Sequence, residues 1–455
     1  MNRHQHRKHH QKEGGNGKYI AGIVASLLVI IAAAAVAVWT VTGGFGGSGE
    51  EEVKQAQNAQ VQSGAGADSG TQTEEGQTGE AQDDAPAGDQ EEGSAASQES
   101  DAGGQAGDRI AEIIEDMTLE EKVCQLFMVT PEAITGVGTA TQAGTATQEA
   151  IERYPVGGVI YFAKNLQNPQ QTRSMLANTQ EYATERMGFP VFLSVDEEGG
   201  QVARVGRNSA FGVERIGNMS DVGSRGDTEE AYRIGTTIGA YLSDLGFNMD
   251  AAPDTDVLTN PENEVVKYRS FGSDPELVAD MAQEELRGLK EEGIIGMYKH
   301  FPGHGGTTAD SHEGYAYVDD TLEELEEGAF VPFQRGIDEG IQVIMVSHIS
   351  CPNVTGDNTP ATLSERMITE ILREDMGFDE MVITDALGMG AITQQYSSSE
   401  AAVAALKAGA DMLLMPEDFQ SAYQGVLDAV ENGTVSEERV EESVRRILEV
   451  KLSME

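Results

Sequence analysis

From residue 108 onward, short apolar runs alternate with longer stretches in which apolar residues recur every three to four positions. Eight runs have the length and composition of buried strands: Gln125–Val129, Gly158–Phe162, Val191–Val195, Phe247–Ala251, Gly296–Tyr298, Val343–Val346, Met381–Thr384 and Asp411–Leu414. Between them, amphipathic patterns predict helices, for example over Thr228–Leu245, Pro275–Glu292, Glu400–Ala408 and Ser436–Leu452. The last opens with Ser436-Glu437-Glu438-Arg439, near a capping box but with Arg where Glu would stand. Strands alternating with helices predict an α/β fold with a parallel sheet. Eight such units in the 348 residues of 108–455 fit a (β/α)8 barrel with insertions. The competing arrangement is an open, doubly wound sheet.

Where the ionisable residues fall favours the barrel. Asp196 follows the third run, and Asp254 and Asp256 follow the fourth. Lys299 and His300 follow the fifth, Ser347 and His348 the sixth, and Asp385 the seventh. A barrel brings the C-terminal ends of all its strands to one rim, whereas an open sheet does not gather five of them.

The chain before residue 108 reads differently. Residues 1–18 are basic, with Arg3, Arg7, Lys8, Lys12 and Lys18 against Glu13, and they include His4, His6, His9 and His10. Residues 19–41 are apolar and uncharged, and roughly 20 such residues suffice to cross a bilayer as a helix. The basic flank places the N-terminus in the cytoplasm and everything after Val41 outside. A cleaved signal peptide is the rival, but its apolar core is normally about 7–15 residues, so length favours a retained single-pass anchor in the cell membrane. Cleavage would make the protein secreted.

Residues 42–107 are Gly, Ser, Ala, Gln, Glu and Asp with few large apolar side chains, so they are expected to be a disordered acidic linker. The net charge of the whole chain is −47. The basic tail contributes about +4 and the linker −13, which leaves about −38 on residues 108–455. Such a surface speaks against nucleic acid or anionic lipid as partner of the folded part. The two cysteines, Cys124 and Cys351, do not make a disulfide framework, and Cys124 sits in an apolar periodic stretch as a core thiol would.

The densest chemistry is Lys299-His300-Phe301-Pro302-Gly303-His304-Gly305, followed by Asp310-Ser311-His312. Glycines and a proline end the preceding strand and turn the chain into a loop. The four histidines outside the tail, His300, His304, His312 and His348, all follow the fifth and sixth strands. A metal centre from Asp310, His312, His300 and His304 has suitable ligand types, but Lys299 would repel the cation and the usual helical His spacing is absent. Glycoside cleavage fits better. It needs a carboxylate nucleophile on one face of the sugar and a proton donor on the other. Asp385 ends a buried strand and can be the nucleophile, and His312 can be the acid and then the base. Asp310 can hold the imidazole in one tautomer and support its protonated form. Lys299, Arg204, Arg269 and Asp196 can hydrogen-bond sugar hydroxyls. Asp254, Asp256, Glu197 and Glu198 are expected to structure loops, and His304 to brace its own. His348 either lines the pocket or caps a strand end.

These residues lie in stretches that together resemble glycoside hydrolase family 3, in its β-N-acetylhexosaminidase branch. The stretches are Asp196 to Arg204, Arg269-Ser270-Phe271-Gly272-Ser273-Asp274-Pro275, Lys299 to Gly305, Asp310-Ser311-His312 and Ile383 to Ala391. They occur in the family's order and cover essentially all of 108–455. The resemblance implies a (β/α)8 barrel, Asp385 as nucleophile and His312 as general acid/base paired with Asp310. It also implies sugar binding by Asp196, Arg204, Arg269, Lys299 and His300, with retention of configuration. Two positions depart from the family's habit: Gln201 where Arg is frequent, and Ala386 where a second Asp is frequent. A proton donor on the barrel's own loop is expected in place of a Glu from a second domain.

The sequence therefore predicts a membrane-tethered, extracellular, monomeric barrel that acts as a retaining exo-β-N-acetylglucosaminidase on cell-wall or chitin-type glycosides, with no metal or organic cofactor. The exo mode comes from the family resemblance alone. A phosphorylase using phosphate in place of water and a tethered, non-catalytic glycan-binding module are the rivals.

Overall fold

The computed structural model describes residues 107–307, 310–311 and 314–454. The expected basic tail, membrane anchor and linker up to residue 106 lie outside the described residues, as does His312, and residue 107 is already helical. Among the described residues, no helix is long and apolar enough to cross a membrane.

The chain is α/β with parallel strands. In chain order the strands are β1 (Phe127–Val129), β2 (Gly158–Tyr161), β3 (Phe192–Val195), β4 (Glu197–Gly199), β5 (Val202–Ala203), β6 (Met249–Asp250) and β7 (Ile295–Gly296). They continue with β8 (Tyr298–Phe301), β9 (Ala316–Tyr317), β10 (Val343–Val346), β11 (Ile349–Ser350), β12 (Met381–Thr384) and β13 (Leu413–Leu414). One parallel sheet runs β13-β1-β2-β3-β6-β7, and a second runs β12-β10-β8. Single parallel bridges join Ile383 to Met412 and Asp254 to Lys299. β4 and β5 form a small antiparallel hairpin, and β9 pairs with β11.

All eight expected strands are present, with shorter ends in several. Gln125 belongs to the helix Leu119–Gln125 rather than to β1. The fifth run differs most. It splits into β7 and β8 around Met297, and β8 continues through Lys299 and His300 to Phe301. The register of β8 on β10 shifts between Tyr298↔Ile344 and Phe301↔Val346, so the strand reaches Pro302 before it stops. Lys299 and His300 are thus strand residues rather than loop residues.

The helices match their patterns closely. Thr228–Leu245 is helical end to end, Pro275–Glu291 starts on the Asp274 cap, and Ser436 caps Glu437–Leu452 by accepting from the Arg439 amide. The first two helices pack with almost no gap. A Cβ on Gly235 would lie 2.1 Å from the Glu285 carbonyl oxygen, and one on Gly288 would lie 2.4 Å from that of Tyr232. Only glycine permits so close a backbone approach. Cys124 and Cys351 are both free and buried, and burial pushes both thiols up to about 12, as core thiols require.

The N-terminal ends of the strands are closed by the last helix. Lys451 is fully buried there, donates to Gln125 Oε1 at 2.7 Å and lies 5.2 Å from the rings of Phe189 and Phe192. Burial lowers its ammonium to about 7. Asp411, also buried, holds Arg373, Arg439 and Arg446. Ionisable groups at the opposite, C-terminal strand ends build the candidate site.

Candidate active site

The sequence Asp196-Glu197-Glu198 leaves β3 in extended backbone, so Asp196 and Glu198 fall on one side and Glu197 on the other. Glu197 turns inward and holds the hairpin. Its carboxylate accepts from the amides of Arg204 (2.5 Å), Val205 (2.8 Å) and Gly206 (2.7 Å) and from the Tyr241 hydroxyl (2.8 Å). Asp196 and Glu198 instead reach the next strand ends. Asp196 takes Arg204 Nη2 at 3.1 Å and Lys299 Nζ at 3.4 Å. Glu198 takes Lys299 Nζ at 2.5 Å and both arms of the Arg269 fork at 2.7 Å.

Burial alone would raise the Glu198 carboxyl, but the Arg269 and Lys299 charges outweigh it and hold the group well below the usual carboxylate range. Burial alone would lower the Lys299 ammonium, and the Glu198 and Asp196 charges raise it instead. Both side chains are charged at neutral pH.

The same spacing recurs at Asp254-Thr255-Asp256. Asp254 Oδ2 lies 3.2 Å from Arg269 Nε, without hydrogen-bond geometry. Burial and the neighbouring Asp256 raise its carboxyl to about 7. Asp256 binds His300 Nδ1 at 2.7 Å through Oδ2 and accepts the His304 amide at 2.5 Å through Oδ1. Burial, then the Arg269 charge, lowers the His300 imidazole to about 4. His300 is therefore neutral at pH 7. With Nδ1–H donated to Asp256, its Nε2 is an acceptor, 3.2 Å from Arg269 Nη2.

The loop after β8 is fixed from below. A Cβ on Gly305 would lie 1.9 Å from the Val257 carbonyl oxygen, and the Gly305 carbonyl accepts from Asn260 at 3.1 Å. His304 hydrogen-bonds Thr307 through Nδ1 at 2.9 Å and Ser311 through Nε2 at 3.3 Å. The Ser311 carbonyl accepts from the Ala391 amide at 3.1 Å, and that of Asp310 from Gly314 at 3.3 Å. The segment carrying Asp310 is thereby tied to the chain that follows Asp385.

Asp385 comes directly off β12, with its amide on the Val346 carbonyl at 2.8 Å. Its carboxylate is partly exposed and accepts the Ala386 amide at 2.7 Å. The Asp385 charge acts on His300, so the two groups share one field. His348, from the end of β10, bridges Thr362 (2.7 Å) and the Ala386 carbonyl (2.9 Å). It braces the strand end beside Asp385.

The structure thus gathers Asp196, Arg204, Arg269, Lys299 and His300 into one contiguous network. Asp385 lies beside it, and Asp310 stands on the adjoining loop. Glu198 and Asp256, expected only to shape loops, are the anions that hold the cations and the imidazole in place. Their two-residue spacing from Asp196 and Asp254 was the available signal.

Asp254, Asp256 and His300 could also offer three ligand atoms to a cation. Arg269 already occupies that position electrostatically, 3.2 Å from both Asp254 and His300, and a metal would have to displace its guanidinium. The arrangement suits a polar organic substrate better. Buried Lys and Arg supply fixed donors, and Asp196 and His300 supply acceptors. Arg204 Nε is buried without a hydrogen-bond partner among the described residues. A separate groove of about 670 Å3 on the outer helices, lined by Tyr396, Val403, Lys407 and Asp428, contains none of these residues.

The beta-hexosaminidase A of Pseudoalteromonas piscicida is 33% identical over 331 residues, which are 67% of this chain and 55% of that protein. The beta-hexosaminidase of Nitrosomonas eutropha is 32% identical over 269 residues, 59% of this chain and 75% of that protein. A glycoside hydrolase family 3 beta-N-acetylglucosaminidase structure from Paenibacillus sp. str. FPU-7 superposes with a TM-score of 0.70 at 39% identity. It covers 74% of this chain and 63% of that one. The chain therefore spans under two thirds of the first and third of these relatives. Residues 118–450 match the glycosyl hydrolase family 3 N terminal domain, and the chain belongs to that family.

Proposed function

We propose that this chain is a retaining exo-β-N-acetylglucosaminidase, anchored in the cell membrane by residues 19–41 with its catalytic domain outside. The observation that carries the reading is the neutralised network of Asp196, Glu198, Arg269 and Lys299 beside the strand-end carboxylate Asp385. The names of the hexosaminidase relatives support the substrate class. We also read the two parallel sheets as one (β/α)8 barrel. The Ile383–Met412 bridge at one seam and the single residue Met297 at the other support closure.

In this mechanism the sugar hydroxyls donate to Asp196 and to His300 Nε2, which exchanges Arg269 Nη2 for the hydroxyl, and accept from Arg204, Arg269 and Lys299. Asp385 attacks C1 as the glycosidic C1–O bond breaks. His312 gives its proton to the departing oxygen, and Asp310 keeps the imidazole oriented and supports its charged form. A covalent glycosyl-Asp385 ester results. Water then attacks C1, gives a proton to His312 and displaces the carboxylate. Two inversions leave the configuration retained. No step needs a metal or an organic cofactor, and a chelator is expected to leave the rate unchanged.

A panel of aryl glycosides tests the reading: N-acetylglucosaminide, glucoside, xyloside and arabinofuranoside. Preferential aglycone release from the first, with free sugar as product and no dependence on phosphate, is expected. A sugar phosphate formed only with added phosphate would make the chain a phosphorylase. Binding without any release would make it a glycan-binding module.

A further inference from the structure

Four large apolar side chains are exposed among the described residues, and two of them, Tyr315 and Tyr317, stand side by side. Their rings stack with centroids 5.5 Å apart and planes 22° apart. The backbone explains the pairing. Tyr315 and Tyr317 flank buried Ala316 in extended chain, so both rings leave the same face. Ala316 and Tyr317 pair with Ile349 and Ser350 of β11, and the Val318 amide donates to the Ser350 carbonyl at 3.0 Å. Tyr315 Oη donates to Asn358 Oδ1 at 2.9 Å, which fixes that ring's tilt. This is an ordered aromatic surface left in water, the kind that marks a ligand site.

Its place in the chain gives the ligand. β11 directly follows His348, which hydrogen-bonds the carbonyl of Ala386, next to Asp385. Tyr315 is five residues after Asp310 and three after His312. Glycoside cleavage sends the proton to the leaving-group oxygen, so the leaving group lies on the side of the segment that carries the donor. Asp319, Asp320 and Asp357 flank the tyrosine ribbon and Asn358 in sequence, and they would repel an acidic ring.

We propose that Tyr315 and Tyr317 form a leaving-group subsite that stacks the second, uncharged N-acetylhexosamine ring of a β-linked oligosaccharide. The subsite rests on the glycosidase reading above. The axial C–H face of such a ring matches the apolar, electron-rich face of tyrosine.

The test compares two substrates in the full-length protein: N-acetylglucosaminyl fluoride, which has no second ring, and a neutral β-linked N-acetylglucosamine trisaccharide. The ratio of their kcat/KM values is read for the unmodified protein, for Tyr315→Ala/Tyr317→Ala and for Tyr315→Phe/Tyr317→Phe. The alanine pair is expected to lower the trisaccharide-to-fluoride ratio about tenfold, mainly through KM, and the phenylalanine pair to keep most of it. Unchanged thermal unfolding of the alanine pair shows that the fold is intact. An unchanged ratio alongside wild-type turnover of the fluoride overturns the subsite alone. No turnover of either substrate by the unmodified protein overturns the glycosidase reading and the subsite with it.

Discussion

Glu198 and Lys299 meet at 2.5 Å with only 2% and 3% of their side chains exposed, and Arg269 grips the same carboxylate with both arms. One anion, from β4 just after β3, therefore bridges two cations from elsewhere in the chain, and Asp196 supplies the second negative charge. Removing it would leave an excess of positive charge away from water. Glu198→Ala is expected to destabilise the fold by about 3–5 kcal/mol, the usual cost of an orphaned buried charge. Urea denaturation measures that loss. On N-acetylglucosaminide turnover, kcat/KM should fall about 100-fold as the donors lose their positions.

Asp256 has a parallel role for the imidazole of His300 and the amide of His304. Asp256→Asn keeps the shape but removes the charge that both donors face. A hydrogen bond to a charged group contributes about 1.5–3 kcal/mol, so kcat/KM should drop about tenfold to a hundredfold. The accompanying signature is a pH profile whose acidic limb moves while thermal stability changes little. An unmoved profile would assign Asp256 to loop structure alone.

At the opposite end of the strands, the buried Lys451 is an acid–base liability. Its folded value of about 7 lies below the ordinary lysine value of 10.5. Between these limits the unfolded chain binds more protons than the native one. Stability from this group therefore rises with pH from about 7 to 10.5 and is at its minimum below 7. Lys451→Met should raise the melting temperature at pH 6 and flatten the rise in stability between pH 7 and 10. The net gain should be about 1–3 kcal/mol, because the Gln125 partner is lost. Thermal melts across that pH range check both the sign and the window.

Much of the fold and part of the site are legible in the amino-acid sequence. Val343–Val346 is apolar throughout and Met381–Thr384 is apolar up to Thr384, and they then change abruptly to Ser-His and Asp, so both the strand and its polar tip were plain. The helix Thr228–Leu245 was equally legible from its apolar period. β8 was harder. Lys299 and His300 are buried in a strand, and charged residues there contradict the usual pattern until their partners Glu198 and Asp256 are in place. Glu198 itself looked like part of a turn, because the turn-holding role belongs to its neighbour Glu197. Partners more than forty residues apart leave no local mark on a single sequence. The Lys451 plug is of the same kind, since a lysine in a C-terminal helix ordinarily faces water.

The central claim is that Asp385 becomes covalently glycosylated while His312 protonates the departing oxygen and then takes a proton from the entering water. His312→Ala combined with an activated dinitrophenyl N-acetylglucosaminide separates the two steps, because such a leaving group departs without an acid but water still needs the base. Acid-quenched protein, digested and analysed by mass spectrometry, should carry one N-acetylhexosamine on the peptide that contains Asp385. A label on any other peptide, or continued turnover with no labelled peptide, would contradict the account.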